Sequence, residues 1–156
     1  MRQTTYIRLK EDFINTYAEQ LCKESDILIR NANTVQKFIN VLHHFMWYIQ
    51  VKQFPDIKWV RKWFSKELPL INECGCYLDQ TTHVENPKCE SIVCFGNTNL
   101  SITITQPCTL AISLRDDSRV SICAFPACVV KVRTTDANRV TILHKGRFAT
   151  IKTKVL

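Results

Sequence analysis

Five segments decide the fold: Leu100-Ser-Ile-Thr-Ile104, Leu110-Ala-Ile-Ser-Leu114, Val120-Ser-Ile-Cys-Ala124, Val130-Lys-Val-Arg-Thr134 and Val140-Thr-Ile-Leu-His144. Thirteen of their fifteen even-numbered positions are apolar, and most of the odd ones are Ser, Thr, Lys or Arg. Alternation that keeps its parity over five segments predicts strands with one buried face. The segments recur every 10 residues, but the connectors recur better every 20. Asp116-Asp-Ser-Arg-Val120 matches Asp136-Ala-Asn-Arg-Val140, Cys108 precedes Cys128 by 20, and Pro87 precedes Pro107 by 20. An antiparallel meander explains the shorter period only. A two-sided solenoid explains both, because each coil has two strands and two corners, and like corners stack.

Residues 81–156 are therefore expected to form about three and a half coils of a parallel β-solenoid, with about 20 residues and two strands per coil. One inner wall would stack Leu100, Val120 and Val140 beside Ile102, Ile122 and Ile142. The facing wall would stack Leu110 with Val130 and Ile112 with Val132. Thr98, Ser118 and Asn138 would line one inner corner, and Cys108 and Cys128 the other. On the same parity His144 takes an inner slot. After Gly146 the parity changes, so that Ala149, Ile151, Thr153 and Val155 alternate on odd positions, as in a modified terminal coil. A short solenoid has two open ends of unpaired backbone groups. The helical part is expected to cover one, and the terminal coil or another subunit the other.

Upstream, the period is helical. Thr34 to Gln50 carries Val35, Phe38, Ile39, Leu42, Phe45, Met46 and Ile49 on one face, with Asn33 or Thr34 as N-cap. An earlier helix fits Leu9 to Cys22, facing inward through Phe13, Ile14, Tyr17 and Leu21, and Ser25-Asp26 marks a new start. A third begins after Pro55 with Asp56 as cap, carries Ile57, Val60, Trp63 and Phe64, and stops at Pro69. The expected organisation is α+β: a helical domain over 1–68, a junction over 69–80 and the solenoid over 81–156.

Composition bounds the function classes. With 156 residues, 46% hydrophobic and 22% charged, the chain is one domain or two small ones and is neither disordered nor collagenous. No apolar run reaches membrane-spanning length, and no export signal opens the sequence. A cytoplasmic or virion-associated location is expected, with the eight cysteines reduced. Three glycines are too few for Gly-rich phosphate loops. The net charge of +7 is uneven: residues 1–80 carry +2 and residues 81–156 carry +5. A basic half points to an acidic partner.

Candidate chemistry is sparse. Cys74, Cys76, His83 and Cys89 form C-x-C-x6-H-x5-C, a ligand set of the type zinc accepts but without the C-x-x-C knuckle. Free thiols at a junction are the competing explanation. His43 and His44 fall on the polar side of their helix, and no nucleophile motif or phosphate loop is present. No enzyme and no cofactor are expected. Trp59-Val-Arg61-Lys62-Trp63-Phe64-Ser-Lys66 mixes cations with aromatics, so Arg61, Lys62 and Lys66 are the candidates for phosphate contact. Trp63 and Phe64 lie on that helix's apolar face, which favours a core helix with basic outer residues. In the solenoid, Arg119 and Arg139 stack 20 residues apart, and Arg115, Lys131, Arg133, Lys145 and Arg147 are expected outward. Asp116, Asp117 and Asp136 would partly neutralise that ladder.

The helical first part, the Pro69-Leu-Ile-Asn-Glu-Cys-Gly-Cys-Tyr-Leu-Asp79 junction and the Asp-x-Ser/Asn-Arg-Val corners together resemble uncharacterised proteins of gut-bacterial phages and mobile elements. The likeness is one of layout and implies no activity. The repeats are more distantly similar to bactofilin-like and adhesin β-solenoids, which assemble or bind. The functional expectation is a non-catalytic binding or structural module. It would contact a protein partner, further copies of itself or an anionic ligand through Arg115, Arg119, Lys131, Arg133 and Arg139. The alternative is a nucleic-acid-binding protein docking through Arg61, Lys62 and Lys66.

Overall fold

The computed structural model describes residues 1–156. They form two compact units, Met1–Cys74 and Gly75–Leu156.

The first unit is helical: α1 (Gln3–Tyr17), α2 (Lys23–Asn31), α3 (Val35–His44), α4 (Met46–Lys52), α5 (Ile57–Phe64) and α6 (Leu68–Glu73). Thr34 caps α3 by accepting from the Lys37 N–H, and Asp56 caps α5 by accepting from the Trp59 N–H, as expected. Three expectations are corrected. The apolar stripe from Val35 to Ile49 is not one helix, because Phe45 leaves helical geometry between α3 and α4. The second start falls at Lys23 rather than Ser25-Asp26, with the Cys22 sulfur accepting from the Ser25 N–H. Pro69 does not stop the chain's helical part but sits in the first turn of α6, where its missing N–H is not needed. The expected junction over 69–80 is thus α6 followed by a first strand.

The core of this unit is aromatic. Phe13 meets Phe38, Trp59 and Tyr17 with ring centroids 5.0, 5.2 and 5.1 Å apart. Polar bonds close its edge. The Tyr17 hydroxyl donates to Asp56 Oδ2 at 3.0 Å and accepts from the Asp56 N–H, which ties α1 to the cap of α5. Asp12 of α1 accepts from Trp59 Nε1 at 2.8 Å, Trp63 Nε1 at 2.7 Å and Lys62 Nζ at 3.0 Å. Burial alone would push the Asp12 carboxyl up. The bonds from Trp63, Lys62 and Trp59 outweigh that and hold it below the usual range.

The second unit is the solenoid. Its strands are β1 (Cys76–Leu78), β2 (Thr81–Glu85), β3 (Ser91–Phe95), β4 (Asn99–Ile104), β5 (Thr109–Leu114), β6 (Arg119–Ala124), β7 (Val129–Thr134), β8 (Val140–Lys145) and β9 (Thr150–Val155). A first sheet has the order β1-β3-β5-β7-β9 and a second the order β2-β4-β6-β8, with every pairing parallel. Strand structure begins at residue 76, so the solenoid has roughly four coils. The inner walls match the sequence reading: Leu100, Val120 and Val140 are in register, as are Ile102, Ile122 and Ile142, with Leu110 beside Val130 and Ile112 beside Val132. Ile102, Ile112 and Ile122 are at most 1% exposed. Burying each contributes about 1.5–3 kcal/mol.

The corners between the two sheets carry a bonding pattern that links neighbouring coils. Where the chain passes from the first sheet to the second, Asp79, Gly96 and Asp116 adopt positive φ. The Asp79 carboxylate accepts from the Asn97 N–H of the next coil, and that of Asp116 accepts from the Gly96 N–H of the preceding one. Thr98 and Ser118 are fully buried and donate to carbonyls of their own and the preceding coil. Asn138 breaks the series. It is exposed, because Ala137–Arg139 form a 3-10 turn capped by Asp136, and Thr134 supplies the buried hydroxyl instead. At the opposite corner Cys128 is buried and Cys108 packs against the same core, as expected.

The parity change begins earlier than Gly146. A bulge between Ile122 and Cys123 pairs Cys123 with His144, so Leu143 is the additional residue. His144 is therefore not an inner residue. It is exposed and stacks on Phe125, centroids 4.5 Å apart. From there the step is 21 residues, Val130 pairing with Ile151. Neither β8 nor β9 has a neighbour on its outer side, and Ile142, Leu143 and Val155 are exposed there.

Candidate functional site

The 21-residue step sets the outer face of the first sheet. In β7 and β9, Lys131 lies directly opposite Lys152 and Arg133 directly opposite Lys154. Adjacent strands are about 4.8 Å apart and alternate residues about 6.7 Å apart along a strand, so the four cations stand at the corners of a small rectangle. Lys131, Lys152 and Lys154 are exposed and Arg133 is half-buried. The same two columns hold Ser91 and Ala111, then Val93 and Ser113, in earlier coils. No carboxylate occupies either column. Like charges directly opposite one another destabilise a sheet. Here two such pairs adjoin.

The expected ladder is distributed differently. Lys131 and Arg133 belong to the array above. Arg115 is 4% exposed, because it is the first residue of a corner and escapes the strand parity, and its guanidinium lies 5.5 Å from the Phe95 ring centroid. Arg139 is paired with Asp117 at 3.5 Å. Asp116 accepts from the Gly96 amide. Arg119 is exposed beside a shallow hollow of about 240 Å³ lined by Thr81, Asn99, Ser101 and Ser121 of the second sheet. The five residues do not form one surface. Lys152 and Lys154 were absent from the sequence-derived set. Their signal was the alternation of Ile151 and Val155 after the slip, which already turns both lysines outward.

Of the three candidate cations in the helical unit, Lys62 has a structural role. Lys62 is bonded to Asp12 and lies 5.0 Å from the Trp63 ring centroid. Trp59 is buried, and both indole N–H groups are committed to Asp12. Arg61 and Lys66 are exposed.

The metal candidates do not converge. Cys74 donates its thiol to Gln36 Oε1 at 3.1 Å, Cys76 is buried in β1, His83 is exposed on β2 and Cys89 lies at a corner. No three His, Cys, Asp or Glu side chains are grouped as a metal centre would require. Burial raises the pKa of Cys89, Cys94, Cys108 and Cys128, keeping them as thiols rather than nucleophilic thiolates.

His43 is not a surface residue. It is partly buried at the end of α3, and burial pushes its pKa down to about 4. The unfolded chain protonates first, near 6.5, so the folded state is disfavoured as pH falls from there toward 4 and is unaffected above. The expected loss is at most about 3 kcal/mol. Denaturation midpoints at pH 7 and pH 4.5 should diverge less in His43→Gln than in the parent; equal divergence would contradict the assignment.

No helix is long and apolar enough to cross a membrane. No family model, curated protein or solved structure matches the chain.

Proposed function

We propose that the chain is a non-catalytic binding module whose working surface is the outer face of the first sheet over β7 and β9, and that its partner there is anionic. The observation that carries this reading is the pair of directly registered like-charge contacts, Lys131 with Lys152 and Arg133 with Lys154. Such contacts oppose folding slightly, and an anion laid across them turns repulsion into attraction. Neither column carries a carboxylate. Cys76 is buried in a strand, and His144, though opposite Cys123 in the ladder, is stacked on Phe125.

The test is binding of inorganic polyphosphate, measured by calorimetry across a salt series. Changing Lys131, Arg133, Lys152 and Lys154 together to alanine should weaken binding roughly 100-fold near physiological salt. It should also flatten the log–log salt slope by about 3, since each phosphate contact contributes about 0.7 for a single-stranded polyanion. The triple change at the exposed Lys131, Lys152 and Lys154 guards against loss of packing at Arg133 and should produce about three-quarters of that flattening. Unchanged affinity in both variants would overturn the proposal.

A further inference from the structure

The corner from which β7 and β9 start is aromatic as well as basic. Phe125 is 52% exposed and Phe148 72% exposed. The Gly146 N–H donates to the Ala124 carbonyl and the Thr150 N–H to that of Cys128, so residues 125–128 and 146–149 are stacked turns of consecutive coils. His144 lies parallel to Phe125, at 25° between ring planes, and the Arg147 guanidinium is 5.5 Å from the Phe148 centroid. Lys131 and Lys152 follow two positions beyond the strand starts, and Arg133 and Lys154 four. The corner between the two sheets thus offers exposed π-surfaces, and the outer face of the first sheet beyond it offers cations.

We infer that this terminal corner and face bind single-stranded nucleic acid, with bases stacked on Phe148 and Phe125 and the phosphate backbone running over Lys131, Arg133, Lys152 and Lys154. The inference rests on the anionic-partner reading above and names its ligand class. Charge alone would suit any polyanion. Two large apolar rings left in water beside the cations are what a polyanion without aromatic bases would not use. A duplex keeps its bases stacked internally, and a flat sheet face enters neither groove, so unpaired strands are the form that uses both elements. The surface is distinct from that of Arg61, Lys62 and Lys66, whose neighbouring indoles are held by Asp12.

The experiment titrates the full chain into a labelled oligothymidylate of about 12 nucleotides, followed by fluorescence anisotropy. A matched duplex and unlabelled polyphosphate serve as competitors. The single strand should bind at least tenfold more tightly than polyphosphate of equal charge. Phe148→Ala and Phe125→Ala should each weaken oligothymidylate binding roughly tenfold, leaving polyphosphate affinity within about twofold. Both rings are largely exposed, so neither change removes core packing. Phe148→Tyr, which keeps the ring, should restore binding. Oligothymidylate and polyphosphate binding equally well, with no effect of either phenylalanine, would overturn this inference and leave the anionic reading standing. Preference for the duplex would overturn it too. Failure of every polyanion to bind would overturn both.

Discussion

Ile122→Ala is expected to destabilise the solenoid by about 2–5 kcal/mol, among the largest effects available to a single substitution in this chain. Ile122 is fully buried in the inner wall, with Ile102 on one side and Ile142 on the other. Truncation removes three carbons from a layer whose neighbours are held by backbone ladders on both sides and cannot close the gap. The comparison that gives the number its meaning is Ile142→Ala. Its position is in register with Ile122, but it lies on the edge strand β8 and is 48% exposed, so the same deletion should cost less than about 1 kcal/mol. Chemical denaturation followed by far-ultraviolet circular dichroism measures both. Equal losses at the two sites would mean that the last coil is covered, or that the stack is not the core.

Asp12→Ala carries the second large effect, about 2–4 kcal/mol on the helical unit. Its carboxylate is the shared acceptor of two indole N–H groups and an ammonium, and alanine leaves all three without it. Trp59 is 5% exposed, so its N–H cannot turn to water without moving the ring away from Phe13. An unsatisfied buried donor costs about 1–3 kcal/mol. Asp12→Asn retains an acceptor oxygen and should recover at least half of the loss. All three tryptophans, at 47, 59 and 63, lie in this unit, so the emission shift in a urea titration reports it directly. A change below about 0.5 kcal/mol would contradict the hub.

The solenoid was legible because inward and outward residues must alternate and because equivalent corners return once per coil. The matched corner carboxylates nevertheless differ in their bonds: Asp116 accepts from the Gly96 amide of the preceding coil, whereas Asp136 accepts from the Asn138 amide of its own turn. Two kinds of information were hidden. Parity says nothing about a residue at a corner, so Arg115 was expected outward and is buried. A bulge shifts everything after it, so His144 was placed inside, and the partnership of Lys152 and Lys154 with Lys131 and Arg133 was not assembled. The helical unit hid its boundaries differently. The 3.6-residue stripe continues through Phe45 although the helix does not, and Pro69 fits a helix start as well as a stop. His43 was expected on a polar face, but a helix face next to a break is not defined by its own stripe alone.

The central claim is that the terminal coils of the solenoid, and not the helical unit, are the binding surface. Its most direct measurement compares two charge-removal variants in one polyphosphate titration across salt: Lys131, Lys152 and Lys154 changed to alanine, against Arg61, Lys62 and Lys66 changed to alanine. Each removes three positive charges, so a nonspecific effect of net charge is the same in both. The account predicts that the solenoid variant loses affinity by more than tenfold and about 2 of its salt slope, while the helical variant stays within about twofold of the parent. The reverse order, or equal losses, would contradict it.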